Sequence, residues 1–266
     1  MIAFALALAL LQSSLDDALN DPALNGALAG TCVMSLDGVE FYGRLADVRL
    51  VPASNQKLLT AAYASSVLGM DFQPKTRFWK ERRNLYIDTS GDPTITRDML
   101  LDVKKKLRLG KDIAIHVRQP YRPAIPPSWE YDDLPHRYAA RVTAFCFDRG
   151  GFEVWAEGGK LRPMPQEYKI ELRHVPGDGD PKVDYRPDLR LAVVTGKLPS
   201  EAKMIEAFAM PDPDAIAART LGGTLVHTDE EPPARDPDYV ITGPALRDVL
   251  KECLEKSDNN LAENAI

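Results

Sequence analysis

Apolar and polar positions along the 266-residue chain change rhythm several times. Residues 1–11 form an unbroken apolar run, followed at once by Gln12-Ser13-Ser14. Such a run is too short to span a bilayer as a helix. It suits the apolar core of a secretory signal, with a buried helix as the competing reading. The abrupt polar step favours export, to the periplasm or another extracytoplasmic space, although a basic leading region is missing. No other segment is long and apolar enough for a stable membrane span. Further on, 31–36 and 39–42 flank Asp37-Gly38, a two-residue hairpin signal. The stretch from Val51 to Gly69 then reads as a helix: Pro52 sets an extended lead-in, helix formers follow, and Gly69 supplies a C-cap. Its apolar residues Leu58, Leu59, Ala61, Ala62, Val67 and Leu68 are expected to lie in a core.

Between about Phe72 and Tyr239 the rhythm becomes that of short strands, at 77–79, 85–87, 113–117, 142–147, 152–155, 168–172 and 189–194. Turn residues punctuate them, including Arg149-Gly-Gly151 and Pro176-Gly-Asp-Gly-Asp-Pro181. Helices are few there, 98–108 being the clearest, with Thr96 or Arg97 near its cap. From Gly243 the helical period returns, with Leu246, Val249, Leu250, Cys253 and Leu254 on one face. That helix ends at Ser257-Asp-Asn259, and another begins at Leu261.

Composition changes this picture little. With 44% hydrophobic and 27% charged residues, the chain matches an ordinary globular protein. A formal charge of −6 and the lack of a basic stripe argue against a nucleic-acid partner. Cys32, Cys146 and Cys253 lie far apart and form no Cys-x-x-Cys, and their odd number argues against a disulfide framework. His116, His136, His174 and His227 form no His-x-x-x-His pair, so neither a metal site nor a cofactor is expected.

Ser54-Asn-Gln-Lys57 carries candidate chemistry. On the first turn of a helix, residues three apart share a face, so hydroxyl and amine can meet. Serine is a weak nucleophile that needs an adjacent base, and an amine serves as one only with a free lone pair. The helix N-terminus favours negative charge developing on the serine oxygen. By itself the string is weak evidence, since chance supplies about one in a chain this long. A second copy, Ser200-Glu-Ala-Lys203, lies in a polar, Pro-flanked segment, where a helix cap and a solvated lysine account for it. Ser257-Asp-Asn259 adds the chain's Ser-x-Asn string at a helix end. It reads either as a polar terminus or as a proton relay beside a substrate-holding carboxamide.

Pro52-Ala-Ser-Asn-Gln-Lys-Leu-Leu-Thr-Ala-Ala resembles the active-site helix of the D-alanyl-D-alanine carboxypeptidase/endopeptidase family, which includes the class C low-molecular-mass penicillin-binding proteins. Three further blocks are similar in order and character: Gly91-Asp-Pro-Thr-Ile-Thr96, Trp129-Glu-Tyr-Asp-Asp-Leu134 with Tyr138 behind it, and Leu254-Glu-Lys-Ser-Asp-Asn-Asn-Leu-Ala-Glu263. The resemblance implies an α+β fold of the penicillin-binding-protein/serine β-lactamase type, incomplete, with a β-rich insertion between the Ser-x-x-Lys and Ser-x-Asn motifs. The implied organisation is a signal-like segment at 1–18, a partial transpeptidase-like domain at 19–71 and 240–266, and inserted β-rich structure at 72–239. It also implies acyl transfer on peptidoglycan stem peptides: Ser54 as nucleophile, Lys57 as its base, Ser257 relaying a proton and Asn259 orienting the peptide. β-Lactams would trap the same serine. Asp133 and Tyr138 are implied in recognition of the stem's diamino-acid side chain, with an N-terminal helix acid and a packing aromatic as the competing readings. Rival functions are a non-catalytic peptidoglycan-binding relative, or a serine β-lactamase or esterase.

The family's third motif, Lys-Thr/Ser-Gly after the Ser-x-Asn string, is missing; Thr195-Gly-Lys197 and His227-Thr-Asp229 fit neither in order nor in place. Its loss removes an oxyanion donor, worth about 2.7–4 kcal/mol, and the later strands of the central sheet. The expectation is therefore a C-terminally truncated chain with little or no turnover.

Overall fold

The computed structural model describes residues 2–118, 121, 124–127 and 129–265; of the expected leader, Met1 lies outside them. The chain divides into two compact units, residues 1–53 and 54–266.

The first unit holds helix α1 (Ile2–Leu19) and a hairpin of β1 (Thr31–Met34) and β2 (Glu40–Arg44). α1 runs on through Gln12-Ser13-Ser14, and its polar half is tied to β2. Gln12 Nε2 donates to the Phe41 carbonyl at 2.9 Å, and the Tyr42 hydroxyl donates to Asp16 Oδ1 at 2.6 Å. No helix among the described residues is long and apolar enough to cross a membrane. The hairpin turn is longer than the two residues expected. Gly38 N–H donates to the Ser35 carbonyl and Ser35 N–H to the Val39 carbonyl, with Gly38 in the left-handed region at φ 89°. Residues 35–39 thus join the strands, the Ser35–Val39 hydrogen bond closing the turn over 36–38, with the glycine placed where a Cβ is disfavoured.

The second unit opens with α2 (Gln56–Leu68), β3 (Lys75–Glu81), β4 (Asn84–Thr89), α3 (Arg97–Lys106) and β5 (Ile113–Arg118). Next come β6 (Gly151–Glu157), β7 (Lys160–Met164), β8 (Glu171–Val175), β9 (Lys182–Arg186), β10 (Leu191–Thr195) and β11 (Lys203–Ala209). It closes with α4 (Pro213–Leu221), β12 (Gly223–His227), β13 (Tyr239–Thr242), α5 (Leu246–Lys256) and α6 (Asn259–Glu263). Three sheets result, ordered β12-β5-β4-β3-β13, β11-β6-β7 and β8-β10-β9. In the five-stranded sheet β4, β5 and β12 run parallel, and β3 and β13 are added antiparallel. Period-two alternation turns Leu85 and Ile87 of β4, and Ile113, Ile115 and Val117 of β5, toward one face. That face belongs to a single core with Leu100 and Val103 of α3, Ile216 and Leu221 of α4, and the aromatic group Phe152, Tyr168, Tyr185 and Phe208. Thr96 caps α3, its side chain accepting from the Met99 N–H.

Several expectations are corrected here. Residues 142–147 form no strand. Among the described residues Val142 forms one β-bridge, to Ala124, and the Thr143 hydroxyl accepts from the Phe145 N–H, bending a segment whose residues 143–147 are all buried rather than alternately so. The strand expected at 168–172 lies at Glu171–Val175, because Tyr168 is held in a turn by Pro165. α4 was not foreseen; Pro213 opens it and left-handed Gly222 caps it, both punctuating a short apolar run that also reads as a strand. Leu254 is exposed rather than on the buried face of α5.

Candidate active site

α2 is preceded by a single 3-10 turn, Ala53–Asn55, so Ser54 and Lys57 sit on successive turns of one helical segment. The geometry departs from expectation in which face of α2 is buried. Leu58 is 58% exposed, Leu59 65% and Val67 60%, so the large apolar side chains face outward instead of lining a core. The buried face is made of small residues and one amine. Ala64, with Ala61 beside it, packs on Leu246 and Leu250 of α5 and on Ala265. Small side chains let helix axes approach closely, and this contact brings the far end of α5 alongside the start of α2. Val249 and Cys253 on the next face of α5 hold Leu261 and Ala262 of α6.

Between α5 and α6 lies the turn Ser257-Asp258-Asn259. Ser257 is the C-cap of α5 in the left-handed conformation, φ 54°. Asp258 caps α6, its Oδ1 accepting from the Leu261 N–H at 2.9 Å. Ala53, immediately before Ser54, is also left-handed at φ 44°. Each such non-glycine residue costs on the order of 1–3 kcal/mol, so the surrounding structure over-determines both.

This packing converges on Lys57, whose side chain is buried although Ser54 and Ser257 are exposed. Lys57 Nζ lies 3.2 Å from Ser54 Oγ, 3.4 Å from Ser257 Oγ and 2.6 Å from Asn259 Oδ1. Among the described residues Lys57 forms no ion pair. A buried amine surrounded by neutral oxygens keeps its hydrogen bonds satisfied without being neutralised by a carboxylate. All four residues expected to carry the chemistry are thus in one cluster, two from each end of the second unit.

The family model for D-Ala-D-Ala carboxypeptidase 3 (S13) matches residues 11–266. The chain belongs to that family. Among relatives of this S13 chain, a D-alanyl-D-alanine carboxypeptidase of Actinomadura sp. (strain R39) is 29% identical over 244 residues, covering 79% of this chain and 45% of that protein. A carboxypeptidase of Mycobacterium tuberculosis is 28% identical over 150 residues, covering 49% of this chain and 32% of that protein. The chain therefore spans less than half the length of these curated relatives. Penicillin binding protein 4 of Haemophilus influenzae superposes with a TM-score of 0.64 at 21% identity, covering 86% of this chain and 59% of that one. A structure of the same protein complexed with a β-lactam gives 0.52 at 22% identity, covering 81% and 55%. The fold is accordingly the α+β type of the penicillin-binding proteins.

The other two expected S13 site residues are joined to each other. The Tyr138 hydroxyl donates to Asp133 Oδ1 at 2.7 Å, and His136 stacks on the Tyr138 ring. That hydrogen bond, with another from the Glu130 N–H, holds the Asp133 carboxyl below its ordinary value. The turn carrying Tyr138 lies against α6. Of the strings set against the missing third motif, Thr195 ends β10, and His227 Nε2 lies 3.1 Å from Asp214 Oδ2. Lys203 of the second Ser-x-x-Lys copy is exposed at the start of β11. A cleft of about 720 Å³, lined by Leu68, Phe72, Tyr121, Leu246 and Asn264 among others, does not include Ser54. The hydroxyl–amine cluster, not this cleft, has the groups that acyl transfer needs.

One residue of the site escaped the sequence reading. Arg149, seen there only as part of a Gly-rich turn, places its guanidinium between Asp258 and Glu252, at 2.7 and 2.5 Å. Partial burial alone would lower it; the hydrogen bond to Glu252 and the charge of Asp258 outweigh that and raise it. The signal was an arginine in a turn, which carries no information about a partner more than 100 positions away.

Proposed function

We propose that the full-length protein is an exported serine-type D-Ala-D-Ala carboxypeptidase or endopeptidase acting on peptidoglycan stem peptides. The observation that carries this reading is the single amine of Lys57 joined to the Ser54, Ser257 and Asn259 oxygens. A neutral amine has two N–H bonds and one lone pair. In the reacting form it donates to Asn259 and Ser257 and accepts from the Ser54 hydroxyl, which uses every site it has.

The chemistry then follows as proton transfers over neighbouring atoms. Ser54 Oγ attacks the carbonyl carbon between two D-alanines while Lys57 Nζ takes its proton. The Ser54 backbone N–H supplies one donor to the oxyanion. When the C–N bond breaks, the proton passes from Lys57 through the Ser257 hydroxyl to the departing amine, leaving an acyl ester on Ser54. Water attacks that ester, gives its proton to Lys57, and the ester oxygen regains a proton as the acid leaves. If the leaving amine belongs to a second stem, the same steps cut a cross-link. Asn259 orients the peptide, and the paired Asp133 and Tyr138, the latter on the turn beside α6, recognise the diamino-acid side chain of the stem. Export follows from the substrate's location and agrees with the apolar N-terminal run.

β-Lactams are amides of the same shape and acylate Ser54. Incubation of the full-length protein with fluorescent penicillin, followed by mass mapping, tests the reading. A lasting adduct on Ser54, absent from S54A, is expected. Rapid release of hydrolysed penicillin would make it a β-lactamase instead, and no adduct at all would leave a non-catalytic peptidoglycan binder.

A further inference from the structure

The turn that aims Ser257 and Asn259 at Lys57 is braced from outside the cluster. Residues 148–150 form a tight turn in which Asp148, Arg149 and Gly150 are all left-handed, at φ 48°, 56° and 67°. Its backbone is anchored on three sides. Asp148 N–H donates to the Ile95 carbonyl at 2.9 Å, Gly150 N–H to the Phe147 carbonyl at 3.0 Å, and Met210 N–H to the Gly150 carbonyl at 2.8 Å. A Cβ on Gly150 would meet Ala140 and Pro213 at 3.3 Å, so the backbone there is closely enclosed. From this rigid base the Arg149 guanidinium reaches both sides of the turn. Nη2 donates to Glu252 Oε1 on the last full turn of α5, and Nη1 to Asp258 Oδ2 at the start of α6. Asp258 spends its other oxygen capping α6, so one carboxylate sets both the helix start and its attachment to Arg149. Strained residues held by over-determined surroundings occur where a side chain must be aimed.

We infer that Arg149 is a positioning residue for the proposed acylation, clamping Glu252 and Asp258 so that the Ser257–Asn259 turn is held against Lys57. The inference rests on the functional reading above. Arg149 touches neither Ser54 nor Lys57 and acts through the turn alone. Without it, the carboxylates of Glu252 and Asp258 lose the cation between them, and the turn keeps its backbone hydrogen bonds, its α6 cap and its bonds to Lys57. Small misplacement of reacting groups costs rate steeply, up to about 100-fold.

The test is the saturating rate and half-saturation concentration of Ser54 acylation by fluorescent penicillin, in full-length wild type, R149A, R149K, D258N and R149A/D258N. The expected result is a fall of about tenfold to 100-fold in the saturating rate of R149A, with half-saturation changed less than about threefold. R149K, which keeps the charge but not the two-pronged reach, recovers only part. D258N keeps a capping oxygen but not the charge. It resembles R149A, and the double variant is no slower than the slower single one. A wild-type rate in R149A, or independent, additive losses in the double variant, overturns the inference. Should R149A fail to fold, D258N and R149K decide by the same rate criterion. Wild type without any Ser54 adduct sinks the functional reading itself, which separates the two failures.

Discussion

Ser54-Asn-Gln-Lys57 and Ser200-Glu-Ala-Lys203 are the same four-residue pattern in two surroundings. In the first, a helical turn places both side chains on one face, and packing of α2 on α5 and α6 closes around the amine. In the second, the lysine begins β11 and the serine precedes it in an irregular segment; both are exposed. There the Ser200 carbonyl accepts from the Gly158 N–H as part of a turn. Spacing therefore makes a reactive pair possible only where the backbone is helical. Only burial among neutral oxygens gives the amine a role other than solvation.

The contrast can be broken most sharply at its ends. Penicillin labelling of S54A is expected to vanish and that of K57A to fall by at least about 100-fold, whereas S200A and K203A label like wild type within twofold. A loss in the second pair equal to that in the first, measured as initial labelling rates, would show that the contrast has no chemical meaning. Next in size is the turn. S257A and N259A are expected to slow labelling by about 10²–10⁴-fold. Thermal melting changes little in S257A, whose side chain is exposed, and falls in N259A, where buried Lys57 loses its 2.6 Å partner.

A smaller effect tests the packing that separates the two strings. A64L pushes three extra carbons into the contact with Leu246 and Leu250. It should lower stability by about 1–3 kcal/mol in urea unfolding and also slow labelling. L58A, on the exposed face of the same helix, should do neither beyond about 0.5 kcal/mol. The smallest effect compares buried charge with and without partners. Asp92 is buried, its Oδ1 accepts from both the N–H and the hydroxyl of Thr94, and its Oδ2 is without a partner among the described residues. Burial, opposed by the Thr94 bonds, raises its carboxyl above the ordinary range. A carboxyl raised in the folded state destabilises the fold above that raised value. The penalty fades as pH falls through the window between it and the unfolded value of about 3.9. D92N should therefore melt higher than wild type at neutral pH, with the difference closing as pH approaches 4. A difference that grows on acidification would reverse the sign of the argument.

How legible each part was follows the range of the interactions that formed it. The helix at α2, its glycine cap and the Thr96-capped α3 follow from local signals, and they were read correctly. Strands with clean alternation, such as β4 and β5, were read for the same reason. The segment at 142–147 was misread as a strand because a short apolar run without alternation is equally consistent with a buried strand and with an irregular buried segment, and 143–147 are buried on every side. α2 was misread in a different way. Its apolar residues were assigned to a core by type, but the face that packs was chosen by Ala61 and Ala64, whose value lies in being small.

By itself, the sequence determined which short-range geometries were available: a hydroxyl and an amine one helical turn apart, a Ser-x-Asn turn at a helix end, and strands of the right period. Tertiary structure alone decided that Lys57 meets oxygens 200 and 202 positions away, and that Arg149 reaches Glu252 and Asp258. The reason is physical. Backbone periodicity correlates side chains over a few residues, whereas contacts across the whole chain depend on how closely helices and sheets pack, which no local pattern records.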